Sequence, residues 1–367
     1  MPLDVLQRLL RGLVTALQPA LSDDDGRWRG HRTFHVDGSS FSMPDTPALQ
    51  QAFGQPGGQR AGCGFPVAHL LTLFHAGLGF LLHVLAAPLR THDMAQVAAM
   101  HPELQEGDVL LGDRAFCSFA HCALLSQRKL HGVLRMHQRQ IVDLTPGRPH
   151  NEPGKKRRKG LPTSRWLRQL GVTDQLVEWF KPKDRPVWLT AEQYAALPAS
   201  LLVRELRYQV AQAGFRTQAV TLATTLLDAA AYPAEALAEL YKQRWQVEIN
   251  LRHLKQTMGL DVLRCETEEG VLKELAVFAL VYNLVRVVMC EAAKRQGVSV
   301  DRIRFIDAWR WLSSAAPGSP LPALIVNPDR PNRVEPRVRK RRPKQYPLMK
   351  RPRDDLRKAL QKKQLVA

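Results

Sequence analysis

Residues 233–259 read PAEALAELYKQRWQVEINLRHLKQTMG. Pro233 suits the first turn of a helix and Gly259 suits its end, while Ala, Leu, Glu, Gln and Lys fill the interior, so the stretch predicts one continuous helix. At about 100° per residue, one edge of its apolar face then carries a phenol, two cations and a carboxylate within an arc of about 60°. These four residues are Tyr241, Arg244, Glu248 and Lys255. An ordinary solvated helix with ion pairs four residues apart would show the same pattern, so the helix alone leaves both interpretations open.

Two other stretches contain carboxylates in positions that suit a metal site. RTFHVDGSS predicts a buried strand that ends at Asp37, and GDVLLGDRAF predicts a second strand that delivers Asp113. If these two groups converged with Glu248, they would repel one another unless a hard cation neutralised them, and Mg²⁺ or Mn²⁺ prefers carboxylate oxygens. Two such ions about 4 Å apart can activate water or a 3′-hydroxyl for phosphodiester chemistry. Arg244 and Lys255 would then contact the flanking phosphates.

The overall charge indicates a polyanionic partner. The 367 residues include 53 Lys and Arg against 34 Asp and Glu, a net charge of +19, and the isoelectric point is about 10.1. Nucleic acid is the first candidate and an anionic membrane the second. The 5 cysteines form no C-x-x-C pair and their number is odd, which argues against a disulfide framework and favours a reducing cytoplasm.

One stretch, residues 61–89, has no Lys, Arg, Asp or Glu and could suggest a membrane span. Histidines, glycines and prolines interrupt it, and its composition favours two buried strands, at about 66–75 and 80–88, joined by a turn at 76–79. Strands and helices then alternate up to about residue 137, which predicts a mixed α/β sheet flanked by helices. A long helix is predicted at 269–296 and a shorter one within 301–326.

Two segments differ in character from this core. Residues 138–218 predict a β-rich insertion with the strand-like pieces DQLVEWF, PVWLT, SLLVRELRYQV and TQAVTLATTL, the last of which should return to the core sheet. The insertion opens with a basic loop that is either a DNA contact or simply a solvated loop; its cationic run is Lys155, Lys156, Arg157, Arg158 and Lys159. Residues 327–367 form a basic, proline-rich tail that we expect to be disordered without a partner. The predicted division is 1–29 (N-terminal helix and approach segment), 30–137 (first part of the core), 138–218 (insertion), 219–326 (second part of the core) and 327–367 (tail).

The three blocks together resemble a known family. The spacing Tyr241-x-x-Arg244-x-x-x-Glu248 followed by Lys255 looks like the Y-R-E-K signature of DDE transposases of the insertion-sequence-four family. VDGSSFSMPDTPALQQAFG resembles the region of the first Asp in that family, and GDVLLGDRAF the region of the second. The resemblance covers roughly residues 30 to 300.

This resemblance implies a ribonuclease-H-like core with a β-rich insertion before the Glu. It implies that the catalytic, metal-binding triad is Asp37, Asp113 and Glu248. It also implies that Tyr241, Arg244 and Lys255 contact DNA near the cut. The expected reaction is cut-and-paste transposition, through a hairpin on the transposon end by analogy. It would need Mg²⁺ or Mn²⁺, double-stranded DNA and a homodimer in the synaptic complex, in the cytoplasm at the nucleoid.

The chain departs from the family pattern in two places. Only 36 residues precede Asp37, where relatives usually carry a DNA-binding region, so we expect little preference for its own transposon ends. The place that receives a flipped base in some relatives holds Ala219 and Val220; Phe215 and Trp188 are the alternatives, and the role stays unassigned. Two other functions remain possible: a truncated, non-catalytic DNA-binding remnant acting as an inhibitor, and a structure-specific nuclease on the same fold.

Overall fold

A single mixed sheet organises the protein. The computed structural model describes residues 1–22, 27–89, 91, 93–210, 219–328 and 351–364. Within them, nine strands form one sheet in the order β3-β2-β1-β4-β5-β9-β8-β7-β6. The strands are β1 (Thr33–Ser42), β2 (Val67–His75), β3 (Leu81–Pro88), β4 (Val109–Gly112), β5 (His131–Arg135), β6 (Arg165–Gly171), β7 (Asp174–Phe180), β8 (Ser200–Gln209) and β9 (Ala219–Thr224).

Helices cover this sheet, and the described residues form ten α-helices. They are α1 (Leu3–Ser22), α2 (Pro47–Ala52), α3 (Asp93–Met100), α4 (Phe119–Gln127), α5 (Ala191–Ala195), α6 (Ala234–Gln243), α7 (Gln246–Arg252), α8 (Glu268–Gln296), α9 (Phe305–Ser314) and α10 (Arg353–Gln364). A π-helical turn, His253–Thr257, follows α7 directly. The predicted α/β class, with a mixed sheet between helices, is confirmed.

The centre of the sheet is β1, which lies between an antiparallel and a parallel neighbour. It pairs with β2 along its whole length and with β4 up to the parallel pair Val36↔Gly112. Asp37 and Asp113 each come directly after that last pair, so the register places them on adjacent strands at the same level. The prediction that β1 ends at Asp37 was wrong. The hairpin with β2 continues its ladder to Ser42↔Val67, and pairing of this kind can be seen only in the sheet.

The insertion is part of the same sheet. β9 pairs with β5, as predicted, and β8, β7 and β6 then extend the sheet outward. β6 was missed because RWLRQLG lacks an alternating apolar pattern and its side chains are at most partly buried. PVWLT, residues 186–190, was wrongly predicted as a strand. It forms a turn in which Val187 is exposed, Leu189 is buried and Thr190 caps α5.

The long helix α8 fixes the turn between β2 and β3. The Asn283 side chain bonds both backbone polar groups of Leu81, at 2.8 Å each, and the Tyr282 hydroxyl donates to the carbonyl of Gly79. Gly79 has a φ of +69°, and a Cβ there would come within 2.5 Å of the Arg286 guanidinium, so glycine is required at this turn. The turn and both strands predicted from residues 61–89 are confirmed.

By length and composition, α8 is the one helix of the described residues that could cross a membrane. Its most apolar window is 56% buried within the protein, in contact with α1, β3 and α9, which is the environment of a core helix. Leu6, Leu10 and Val14 give α1 a buried face.

The last described segment is an ordered helix rather than a disordered tail, which corrects the prediction for residues 353–364. Its first residue, Arg353, makes an ion pair with Asp45 at 2.6 Å and lies 4.1 Å from the centre of the Phe65 ring. The Arg353 backbone N–H also donates to the carbonyl of Gly62. These contacts dock the start of α10 on the two loops that flank α2, which composition alone could not reveal. The rest of the predicted tail, residues 329–350 and 365–367, lies outside the described residues.

Candidate active site

The predicted single helix of residues 233–259 is instead three segments, α6, α7 and the π-helical turn. At the first junction the Arg244 N–H bonds the Tyr241 carbonyl and the Glu248 N–H bonds the Trp245 carbonyl, so these bonds span three residues rather than four. At the π turn, the Met258 N–H bonds the carbonyl five residues earlier. A tight turn followed by a wide one changes the angle between the signature side chains, and π turns of this kind occur often at functional sites.

The end of the stretch was predicted correctly. Gly259 has a φ of +95°, a conformation that glycine adopts without strain. The chain then turns back to β1, where the Leu263 N–H bonds the carbonyl of Ser42.

Asp37 and Asp113 form the floor of the site. Each carboxylate is oriented by its own backbone: Asp37 accepts from the Gly38 N–H at 2.9 Å and Asp113 from the Ala115 N–H at 2.7 Å. On the other side of Asp37, the Thr72 hydroxyl donates to its backbone carbonyl. These bonds hold the two carboxylates side by side on the side of the site that the sheet forms. The second oxygen of each carboxylate accepts no backbone hydrogen bond and can bind a ligand.

Arg244 links this floor to the helix above it. Its guanidinium lies 3.9 Å from Asp37 Oδ2 and 3.1 Å from Glu248 Oε1. The Arg244 side chain is 13% exposed whereas that of Glu248 is 42% exposed, so the cation sits beneath the carboxylate that is open to solvent. Asp37, Arg244 and Glu248, which are up to 211 positions apart in sequence, therefore form one connected group, with Asp113 beside it.

The electrostatics of this group are dominated by burial of negative charge. Burial raises the pKa of Asp37 to about 7; Arg244 opposes the rise, while Asp113 and Glu248 add to it. The rise therefore comes first from the loss of hydration around Asp37 and only secondarily from its carboxylate neighbours. Without a further cation, Asp37 holds a proton near neutral pH.

The donor set fits a hard divalent cation. The described residues contain no group of three or more His, Cys, Asp or Glu side chains already arranged around a metal position, and Glu248 is paired with Arg244. The carboxylates of Asp37 and Asp113 offer hard oxygen ligands, each with one oxygen that accepts no backbone N–H, and a bound cation would favour the ionised form of the buried Asp37. The predicted triad remains a prediction.

Lys255 lies at the opposite end of the site, on the π turn. Its Nζ donates to the Ser39 hydroxyl at 2.9 Å and pairs with Asp261 at 3.0 Å. Ser39 is two residues beyond Asp37 on the same face of β1. The wide turn therefore aims Lys255 at the strand that carries the first catalytic candidate.

Tyr241 differs from the other signature residues because it is an interior side chain. It is 6% exposed and packs with the apolar cluster of Val109, Leu111 and Leu240. The Arg244 guanidinium lies 5.8 Å from its ring centre. Tyr241 supports Arg244 from within and presents little surface to DNA, so its predicted DNA contact is untested.

The basic loop of the insertion is exposed but shaped. Asn151 holds it by accepting from the Arg158 N–H at 2.7 Å and donating to the Leu161 carbonyl at 2.9 Å. Lys155 pairs with Glu152, while Lys156, Arg157 and Lys159 make no ion pair with any described residue. The structure does not bring this loop into contact with the carboxylates.

Sequence reasoning missed Trp245. Its side chain is 57% exposed at the tight turn, between Arg244 and Glu248 in the chain. A large apolar residue off the apolar face of a predicted helix is the signal that could have revealed it. Of the two earlier candidates for a base-receiving ring, Trp188 packs against the core and Phe215 lies outside the described residues.

Comparison with known proteins places these features in context. The family model described as "Transposase DDE domain" matches residues 28–284. The chain is 25% identical over 344 residues to the transposase InsG for insertion sequence element IS4 from Escherichia coli (strain K12), a match that covers 87% of this chain and 70% of that protein.

Two further similarities are more limited. A probable transposase for insertion sequence element IS5377 from Geobacillus stearothermophilus is 34% identical over 73 residues, which is 20% of this chain and 19% of that protein. The cryo-EM structure of a piggyBac transposase synaptic complex with hairpin DNA is similar at a TM-score of 0.40 and 12% identity, over 78% of this chain and 55% of that chain. This structural likeness is too weak to carry an argument.

Proposed function

We propose that this chain, which belongs to the DDE transposase family, cuts and joins DNA with Asp37, Asp113 and Glu248 as the ligands of a divalent cation. The protein is a DNA transposase of the insertion-sequence-four type, an enzyme that cleaves DNA and transfers strands.

The observation that carries the proposal is the connected group of Asp37, Arg244 and Glu248 beside Asp113. A single arginine lies within 3.9 Å of two of the three carboxylates, and the pKa of Asp37 is still raised to about 7. Three carboxylates around one arginine carry a net negative charge when all are ionised, and such a group favours binding of a divalent cation.

Mg²⁺ or Mn²⁺, as one or two ions, would supply the positive charge that activates the attacking oxygen and stabilises the leaving oxygen. The chain's own residues prepare for this. Asp37, Asp113 and Glu248 would hold the cation, which would require Asp37 to be ionised and the 42% exposed Glu248 carboxylate to be released from Arg244. Arg244 then has a free guanidinium that can bind a phosphate in a two-pronged geometry.

Substrate binding uses the residues around this centre. Lys255 contacts the phosphate on the far side of the cut, since its present partners are a hydroxyl and the carboxylate of Asp261, which is 45% exposed and replaceable. Trp245 offers a ring on which an unstacked base can lie beside the scissile phosphate. The loop residues Lys156, Arg157 and Lys159 bind the backbone of double-stranded DNA farther out, and a homodimer holds the two ends together.

The test compares Glu248→Gln with Glu239→Gln, an exposed carboxylate on α6 that pairs with Lys242. Cleavage of the element's terminal repeats is measured with Mg²⁺ present, and DNA binding is measured separately with a chelator. We expect Glu248→Gln to lower cleavage to background while binding stays within about twofold, because the substitution removes a charge that faces the cation and not the phosphates. Glu239→Gln should behave as wild type. Full cleavage by Glu248→Gln would remove Glu248 from the triad.

A further inference from the structure

A groove runs between the catalytic helix and α9. It consists of two adjoining cavities of about 410 Å³ and about 510 Å³, which share Thr257 and Ile306 in their walls. The first is bounded by α7, the π turn and the start of α9, and the second continues along α9 past Trp309. The groove lies outside the group of carboxylates described above.

Exposed cations line this groove without internal partners. Arg252 and Arg304 border the first cavity and Arg310 the second, and all three side chains are exposed. None of them makes an ion pair with a described residue. Arg304 and Arg310 are six residues apart, which at about 1.5 Å per residue separates them by about 9 Å along α9. Cations spaced this way suit successive phosphates of a nucleic acid strand better than one small anion.

The acid in the wall of the first cavity, Asp301, is already paired with a cation. Asp301 lies 3.5 Å from the Arg286 guanidinium and accepts from the Gln246 side chain at 3.2 Å. Asp307, on α9, lines neither cavity, and its carboxylate accepts from the backbone N–H of Ile325 at 2.8 Å. The groove therefore presents an excess of positive charge to solvent.

The wall between the cations is rigid and uncharged. His253 stacks on Phe305 with ring centres 4.2 Å apart and planes inclined by 7°. Burial, together with Arg252 and Arg286, lowers the pKa of His253 to about 4, so this ring is neutral when DNA binds. Trp309 meets Phe305 edge-on at 6.2 Å, which continues the aromatic wall along α9.

The groove continues the cationic track of the catalytic site. Arg252 is one helical turn beyond Glu248, about 6 Å along α7. Because the Arg252 side chain is exposed, a strand leaving Arg244 can cross it before reaching Arg304. We propose that the groove between α7 and α9 binds the phosphate backbone of the DNA that flanks the cut. The proposal rests on the proposed function, because it takes the DNA to be bound at Asp37 and Glu248.

The test uses the whole chain and a 40-base-pair duplex, with a chelator present so that no cleavage occurs. The groove variant carries Arg252→Gln, Arg304→Gln and Arg310→Gln. The control variant carries Arg128→Gln, Arg168→Gln and Lys294→Gln, three exposed cations that line neither cavity and make no ion pair with a described residue. Each lost phosphate contact lowers the slope of log K against log salt by about 0.9, so the groove variant should show a slope smaller by about two to three units. The control should change it by less than one unit.

Equal slopes for the groove and control variants would overturn the proposal. A small-anion site is distinguished by adding inorganic phosphate at constant ionic strength. If inorganic phosphate raises the thermal midpoint of wild type but not of the groove variant, and leaves DNA binding of wild type unchanged, the groove is a site for a small anion and the proposal is wrong. Because binding is measured without cleavage, either failure leaves the catalytic assignment intact. Normal cleavage by Glu248→Gln would overturn that assignment instead.

Discussion

The raised pKa of Asp37 makes a quantitative prediction about stability. Asp37→Asn removes a carboxylate that folding places next to Asp113 and Glu248, and its amide oxygen can still accept from the Gly38 N–H. The pKa rises from 3.8 to about 7 on folding, so the folded state holds a proton that the unfolded chain releases. Stability is therefore complete below the unfolded pKa and is lost as the pH rises through about 7.

The size of this loss follows from the two pKa values. At about 1.36 kcal/mol per pKa unit, the destabilisation is about 2 kcal/mol at pH 5.5 and about 4 kcal/mol at pH 8.5. The stability gained by Asp37→Asn over wild type should therefore grow by about 2 kcal/mol between these two pH values when no metal is present. Saturating Mg²⁺ should stabilise wild type at pH 8.5 and should stabilise the variant much less.

The measurement is urea unfolding of both proteins at pH 5.5 and 8.5, in chelator and in Mg²⁺. Asp228→Asn serves as the control, because Asp228 is an exposed carboxylate that also accepts from backbone N–H groups, those of Ala230 and Ala231. The control should show no growth with pH. A stability difference for Asp37→Asn that is equal at both pH values would refute the electrostatic reasoning.

Three further predictions concern sites away from Asp37. Burial lowers the pKa of His101 to about 3 and that of His121 to about 4, so the free energy of unfolding should fall as the pH drops below about 6.5. In urea unfolding at pH 4.5 to 6, His101→Gln should reduce that fall by about 1.4 kcal/mol per pH unit. An unchanged dependence on pH would contradict this prediction. Arg353→Ala removes the contacts with Asp45 and Phe65, so limited proteolysis should cut near α10 faster than in wild type. The thermal midpoint of the core should stay the same. Equal cutting rates would show that Arg353 does not hold the helix. If the Trp245 ring stacks on a base, Trp245→Phe should cleave DNA faster than Trp245→Ala in single-turnover assays, because only the Phe variant keeps an aromatic ring. Equal cleavage rates for the two variants would exclude stacking.

Local sequence was enough to predict the elements whose side chains face one apolar core. The strands around residues 66–75 and 80–88, the turn at Gly79 and the end of the catalytic stretch at Gly259 all follow from burial patterns and from the backbone freedom of glycine. The Y-R-E-K spacing with the two Asp blocks identified the family, because three motifs in one order are specific where each alone is common.

Other features were decided only by the tertiary structure, because they depend on contacts between distant segments. The continuation of β1 beyond Asp37 requires β2 as a partner, and the placement of β6 requires β7. The tight turn at Arg244 and the π turn at Lys255 keep helical backbone angles, so residue preferences do not distinguish them from one regular helix. Asp37 and Glu248 share Arg244 across 211 positions of sequence, and the charge balance of such a group exists only after folding has removed it from water. The sequence motifs therefore determined which residues could form the site. Strand register decided how close these residues come, and burial decided that Asp37 holds a proton near neutral pH.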